Sequence, residues 1–228
     1  MSTPAHPGTP QGNEGEASVP QRMADHWWWR PGWQPGRRMF TFHITFDGQP
    51  AVHQLAHACQ DALRGLGGLD FVPPQWLHLT MQGVGFTDEV STADADAIVH
   101  AAQDRLTQLS SLSLTLGPVT ITPEAILLPA EPHQGLTGVR DALRAAILDV
   151  WPPSRLMEKD TWTAHATIAY SNSDGPVAPY QAALNGVPGT AQAQVTSVQL
   201  IILGRDEHSY EWSVHATIPL NHQQPRPS

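Results

Sequence analysis

Four times in 228 residues a histidine is followed two positions later by a threonine and then by an apolar residue. The copies are His43-Ile44-Thr45-Phe46, His78-Leu79-Thr80-Met81, His165-Ala166-Thr167-Ile168 and His215-Ala216-Thr217-Ile218. Residues i and i+2 of a β-strand face the same side, so each copy reads as a strand with one polar and one apolar face. Such strands suit an antiparallel sheet with one face on a core and the other open, not a parallel sheet buried on both faces.

The intervening sequence supports that class. Phe40, Phe42, Ile44 and Phe46 alternate with polar residues, which predicts a strand over the first copy. Leu55, Cys59 and Leu63 recur at a spacing of four, so a helix is expected from about Pro50 to Leu66. A strand over 73–86, an alanine-rich helix over 92–109, short strands within 111–132 and a helix over 134–151 follow. Pro152 and Pro153 stop that helix. A strand over 161–175, a short helix over 177–187, a strand over 193–206 and a last strand over 210–220 complete the order. Each half thus carries a helix and two strands with the histidine pattern. The expectation is an α+β fold: a bilobal, pseudo-twofold duplicated domain, with antiparallel sheets flanking a central cleft and helices on the outside.

Residues 1–22 are rich in Pro, Gly, Ser and Thr and read as a disordered leader, with one folded domain over 23–220 and a flexible tail over 221–228. No stretch approaches the roughly 20 apolar residues of a membrane span. The net charge of -9 argues against gripping long duplex nucleic acid, which needs a basic face. A single cysteine, Cys59, excludes an internal disulfide and fits a reduced, cytoplasmic setting. The expected protein is a monomer whose partners are small nucleotides or nucleic-acid ends.

Each His-x-Thr pair sets a group that titrates near neutral pH beside a hydroxyl that can donate to an anionic oxygen. Two pairs facing each other across a cleft would supply a base, an acid and two clamps around a phosphorus centre, with no metal or cofactor required. The contexts separate the four copies. "PPQWLHLTMQGVGF" and "TWTAHATIAYSNSDG" each have an apolar approach, the motif, then small or turn residues that let a ligand come close.

These two segments, with their histidines 87 residues apart, resemble the paired signatures of the 2H phosphoesterase superfamily. That superfamily includes bacterial RNA 2',3'-cyclic phosphodiesterases, also called 2'-5' RNA ligases. The resemblance implies that His78 and His165 form the catalytic pair, with Thr80 and Thr167 holding the phosphate. It further implies that His165 activates water while His78 protonates the leaving ribose oxygen, the roles exchanging in the ligating direction. The implied substrate is an RNA end or small nucleotide bearing a cyclic phosphate.

The other features have weaker readings. His43 is a candidate substrate contact because the tryptophan-rich segment leads into its strand, whereas His215 shares a face with Glu211 and Ser213 that reads as solvent. Trp27, Trp28 and Trp29 with Arg30 form either a base-stacking platform or, as we favour, a strap over the core, with Trp29 and Arg30 the candidates for substrate contact. Tyr170 falls on the face opposite the motif and reads as packing unless the strand kinks. Arg30, Arg37, Arg38 and Arg205 are the candidate basic groups near the cleft. Two rival functions stand beside the phosphodiesterase. One is a silent module that binds nucleotides or RNA ends. The other is a metal-dependent hydrolase built on His53 and His57, which share a helical face but lack an obvious third ligand.

Overall fold

The computed structural model describes residues 20–157, 162–187 and 189–221. In chain order the strands and helices are β1 (Arg22–Met23), β2 (Met39–Thr45), α1 (Pro50–Leu63), β3 (Leu69–Phe71), β4 (His78–Phe86) and α2 (Thr92–Leu106). They continue with β5 (Leu112–Leu116), β6 (Thr120–Ile121), β7 (Ala125–Glu131), α3 (His133–Val150), β8 (His165–Ser171) and β9 (Gly175–Pro176). The last are α4 (Ala178–Leu184), β10 (Ala191–Val195), β11 (Ser197–Gly204) and β12 (Glu211–Pro219).

The local reasons for these elements are visible in the sequence. Pro50 opens α1, where a missing N–H costs nothing, and Val52, Leu55, Ala56, Cys59 and Leu63 form its buried face. The Ser91 side chain caps α2 by accepting from the Asp94 N–H at 3.1 Å. Leu136, Val139, Leu143, Ala146 and Ile147 bury one face of α3.

The strands form a curled antiparallel sheet in the order β10-β5-β7-β8-β4-β2-β11-β12, with β3 and β6 attached to β8 and β7. Two four-stranded halves meet at β4 and β8. The half containing β4 packs against α2 and α3, with α3 reaching β7 as well, and the half containing β8 packs against α1, on which α4 rests. This is the duplicated arrangement anticipated from the sequence, made continuous because the central strands pair. They pair at a single position, Leu79 with Ala166, at the centre of the sheet. Leu79 and Ala166 point into the core, and both are fully buried.

Two expectations change. The single strand anticipated over 193–206 is two, because the chain breaks at Thr196: β10 pairs with β5 at one edge while β11 pairs with β2 and β12 in the other half. His215 does not face solvent. The β11–β12 register shifts at Leu200/Ile201, which makes His215 an extra residue opposite that step and turns it toward α2. There its Nε2 lies 2.9 Å from Asp96 Oδ1 and its ring meets Phe40 edge-on. Of the leader expected over 1–22, residues 1–19 lie outside the described residues, while Arg22 already pairs in β1. Of the tail expected over 221–228, Asn221 bridges to Ser110 and the remainder lies outside the described residues.

Candidate active site

His78 and His165 are the first residues of β4 and β8. Each is anchored in the same way. Nδ1 of His78 donates to the Trp76 carbonyl at 2.8 Å, and Nδ1 of His165 donates to the Thr163 carbonyl at 2.8 Å. A carbonyl can only accept, so the proton sits on Nδ1 in both rings and each neutral imidazole presents the Nε2 lone pair.

The Leu79–Ala166 pair sets how the motifs relate. In ideal antiparallel geometry, one step to either side of that pair would set His78 opposite Thr167 and His165 opposite Thr80, with the histidines on one diagonal and the threonines on the other. From the chain that leads into β8, the Trp162 indole N–H donates to the Thr80 carbonyl at 3.0 Å.

A bulge follows each motif. On β4, Thr80 pairs with His43 and Gln82 with Phe42, which leaves Met81 as an extra residue. On β8, Thr167 pairs with Leu127 and Ala169 with Ile126, which leaves Ile168 as an extra residue. The bulges are equivalent under the pseudo-twofold, and each extra carbonyl is held by a helix side chain. Arg140 of α3 donates Nε–H to the Met81 carbonyl at 3.2 Å. Gln60 of α1, itself buried, donates to the carbonyls of Ile168 at 2.9 Å and Val72 at 2.8 Å. A bulge reverses the alternation beyond it. Tyr170 accordingly stands on the same face as Thr167, where it stacks on His26 with ring centroids 4.3 Å apart. That is the kink on which its packing role depended, and burial pushes its hydroxyl pKa up.

Electrostatics distinguish the two histidines. His78 is buried, and desolvation pulls its pKa down to about 4, with repulsion from His165 in the same direction and the Trp76 hydrogen bond opposing. His165 is half-exposed. A cavity of about 450 Å³ is lined by Thr80, Gln82, Arg140 and Trp162 together with His26, Arg30, Trp33 and Tyr210, so that of the four motif side chains Thr80 borders it. A second cavity of about 490 Å³ has an acidic rim, Asp206, Glu207 and Glu211, which suits an anionic ligand poorly.

The remaining candidates separate. His43 does not line the groove: it is 0% exposed and lies behind His78, ring on ring. Trp29 is 50% exposed and is not among the residues around the 450 Å³ cavity, whereas Arg30 borders that cavity and is ion-paired with Glu124. Trp27 is buried against Tyr170 and Tyr210 and donates Nε1–H to Asp70 at 2.9 Å, so the segment packs as a strap. Arg37 and Arg38 are bound to Asp88, Glu89 and Asp206. Arg140 and Arg144, whose Nη1 donates to the Gln82 side chain at 3.3 Å, are not singled out by the sequence, where their signal is two cations in register with Leu136, Leu143 and Ile147 on the apolar face of α3.

A family model described as the 2'-5' RNA ligase superfamily matches residues 50–207, and so takes in both motifs and the helices that brace them. The chain belongs to the 2'-5' RNA ligase superfamily. As a member of it, the protein is an enzyme of phosphoesterase or ligase type. Solved structures share the fold at low identity. The protein TT0787 of Thermus thermophilus superposes with a TM-score of 0.65 at 17% identity, over 82% of this chain and all 100% of its own. Escherichia coli LigT complexed with 3'-AMP gives 0.58 at 17% identity, over 81% of this chain and 98% of its own. The PDE domain of MHV ns2 gives 0.50 at 10% identity, over 73% of this chain and 99% of its own. LigT structures with NADP+ and with ATP match as well. The search of curated proteins found no match. Among the described residues no three His, Cys, Asp or Glu side chains form a metal-binding group, and no helix is long and apolar enough to cross a membrane.

Proposed function

We propose that the protein opens 2',3'-cyclic phosphates of small nucleotides or RNA ends by paired-histidine acid–base catalysis, within one domain spanning about 23–220. The observation that carries this reading is the mirrored anchoring of His78 and His165 through Nδ1, about an axis through Leu79 and Ala166. It gives two imidazoles on adjacent strands, each with Nδ1 on a backbone carbonyl and Nε2 as the nitrogen left to exchange a proton.

In the hydrolytic direction His165 Nε2 takes a proton from water as the water oxygen bonds to phosphorus. His78 Nε2–H gives a proton to the ribose oxygen as the phosphorus–oxygen bond to it breaks. Thr80 and Thr167 donate to the two non-bridging oxygens, whose charge grows as the fifth bond forms. The half-exposed position of His165 favours it as the group that meets water. His78, held neutral by burial in the free enzyme, takes on its proton once the anionic phosphodiester enters and offsets the desolvation. No step calls for a metal or a cofactor, and the ligating direction exchanges the two roles.

The test is incubation of purified protein with 2',3'-cyclic AMP in excess chelator, followed by phosphorus NMR. Ring opening to a phosphomonoester supports the reading. Binding without ring opening favours the silent nucleotide-binding module, and zinc-restored turnover after complete loss favours a metal-dependent hydrolase.

A further inference from the structure

We infer that His43, the histidine of a third His-x-Thr copy, is a positioning residue for both His78 and Thr80. This rests on the paired-histidine reading above. Its ring lies parallel to that of His78, with centroids 4.2 Å apart and planes 5° apart, and its Nε2 is 3.3 Å from Thr80 Oγ1. The Trp212 ring meets both imidazoles edge-on, at 5.5 Å and 5.1 Å, and closes the back of the stack. One fully buried side chain thus touches both groups of the first motif while having no surface of its own toward the cleft.

The consequence for Thr80 follows from counting protons. A threonine hydroxyl has one proton and two lone pairs. If that proton were given to His43, Thr80 would face the cleft as an acceptor only and would repel a phosphate oxygen. If instead His43 donates Nε2–H to Oγ1, the hydroxyl proton is released toward the cleft, where it can donate to the non-bridging oxygen. The clamp therefore requires the Nε2–H tautomer of His43. The parallel stack fixes the plane of His78 at the same time, so that Nε2 keeps its aim while Nδ1 stays on the Trp76 carbonyl. In the other half the residue paired with Thr167 is Leu127, and the polar side chain bonded to Thr167 is Tyr170 of its own strand. The two threonines are thus oriented by different means, and the first motif depends on a residue 35 positions before it.

The test compares His43→Phe, which keeps an aromatic ring against His78 but removes the donor, with His43→Gln, whose amide N–H can replace Nε2–H. Each is made alone and with Thr80→Val. His43→Phe is expected to lower kcat about tenfold or more with a smaller change in KM, from the loss of one oriented donor. His43→Gln should recover most of that loss, and Thr80→Val should cost little more in the His43→Phe background. A packing role alone would lower the melting temperature of both variants without this coupling. Wild-type kcat in His43→Phe, or multiplicative losses in the double variant, would overturn the inference. Nitrogen-15 NMR of the free protein's imidazoles reads the tautomer without turnover, and a protonated Nδ1 with bare Nε2 on His43 would also overturn it. If the wild type fails to open any cyclic phosphate, the functional reading fails while the NMR result still decides the tautomer.

Discussion

Lowering the pH from 7.5 to 5 should destabilise the fold through two buried histidines. His26 and His78 each have a pKa near 4 against an ordinary value of 6.5, in both cases chiefly because burial penalises the charged ring. His26 is held between Glu124 at Nδ1, 3.2 Å, and Tyr210 at Nε2, 2.9 Å, while the nearby Arg30 and Arg205 disfavour its proton further. A group with a folded pKa below its unfolded value binds its proton more readily in the unfolded chain. The stability it contributes is therefore complete above pH 6.5 and is lost as the pH falls from 6.5 through 4. Between pH 7.5 and 5, a shift of this size corresponds to about 2 kcal/mol for each histidine, or about 4 kcal/mol together. That is a substantial share of the roughly 5–15 kcal/mol that holds a typical domain. Urea unfolding at several pH values checks this. Wild type should lose about 4 kcal/mol over that interval, and His78→Gln, which has no proton to gain, about half as much. Equal losses in wild type and His78→Gln, or a flat profile in wild type, would refute the burial and pairing assigned to His78.

Other outcomes follow from the same contacts. Gln60→Leu leaves the Val72 carbonyl and one bond to the Ile168 carbonyl unmet, so chemical denaturation should show a loss of about 1–3 kcal/mol. Arg140→Leu removes the donor from the Met81 carbonyl and a cation from the cavity wall, and steady-state kinetics should show a raised KM for cyclic nucleotides. The profile of kcat/KM against pH should be bell-shaped, with its acidic limb near pH 4, where His78 of the free enzyme titrates.

The sequence is legible where the chemistry is local. The period of two around each His-x-Thr, the apolar spacing of α1, the alanine-rich run of α2 and the proline stop after α3 identify the strands and helices, and the matched surroundings of His78 and His165 mark that pair as the candidates among four copies. What escapes depends on contacts between distant elements. An extra residue in a ladder leaves no mark on the alternation, so the bulges at Met81 and Ile168 are invisible in the sequence, and with them the face occupied by Tyr170. The same holds for His215, which a register shift turns from solvent to Asp96. His43 looks like a substrate contact because the tryptophan-rich segment leads into its strand. Only the pairing of β2 with β4 reveals that it lies beneath His78. Arg140 is easily passed over because a cation within an amphipathic helix reads as solvated until the helix is docked on β4.

The central claim is that His78 and His165 act together on one phosphate, and the most direct measurement is a double-mutant comparison. Turnover of 2',3'-cyclic AMP is measured for wild type, His78→Ala, His165→Ala and the double variant, with folding of each confirmed by circular dichroism. The paired mechanism predicts that either single substitution removes most of the turnover, on the order of a thousandfold, and that the double variant is little worse than either alone. Turnover near wild type in either single variant, or losses that multiply in the double variant, would contradict it.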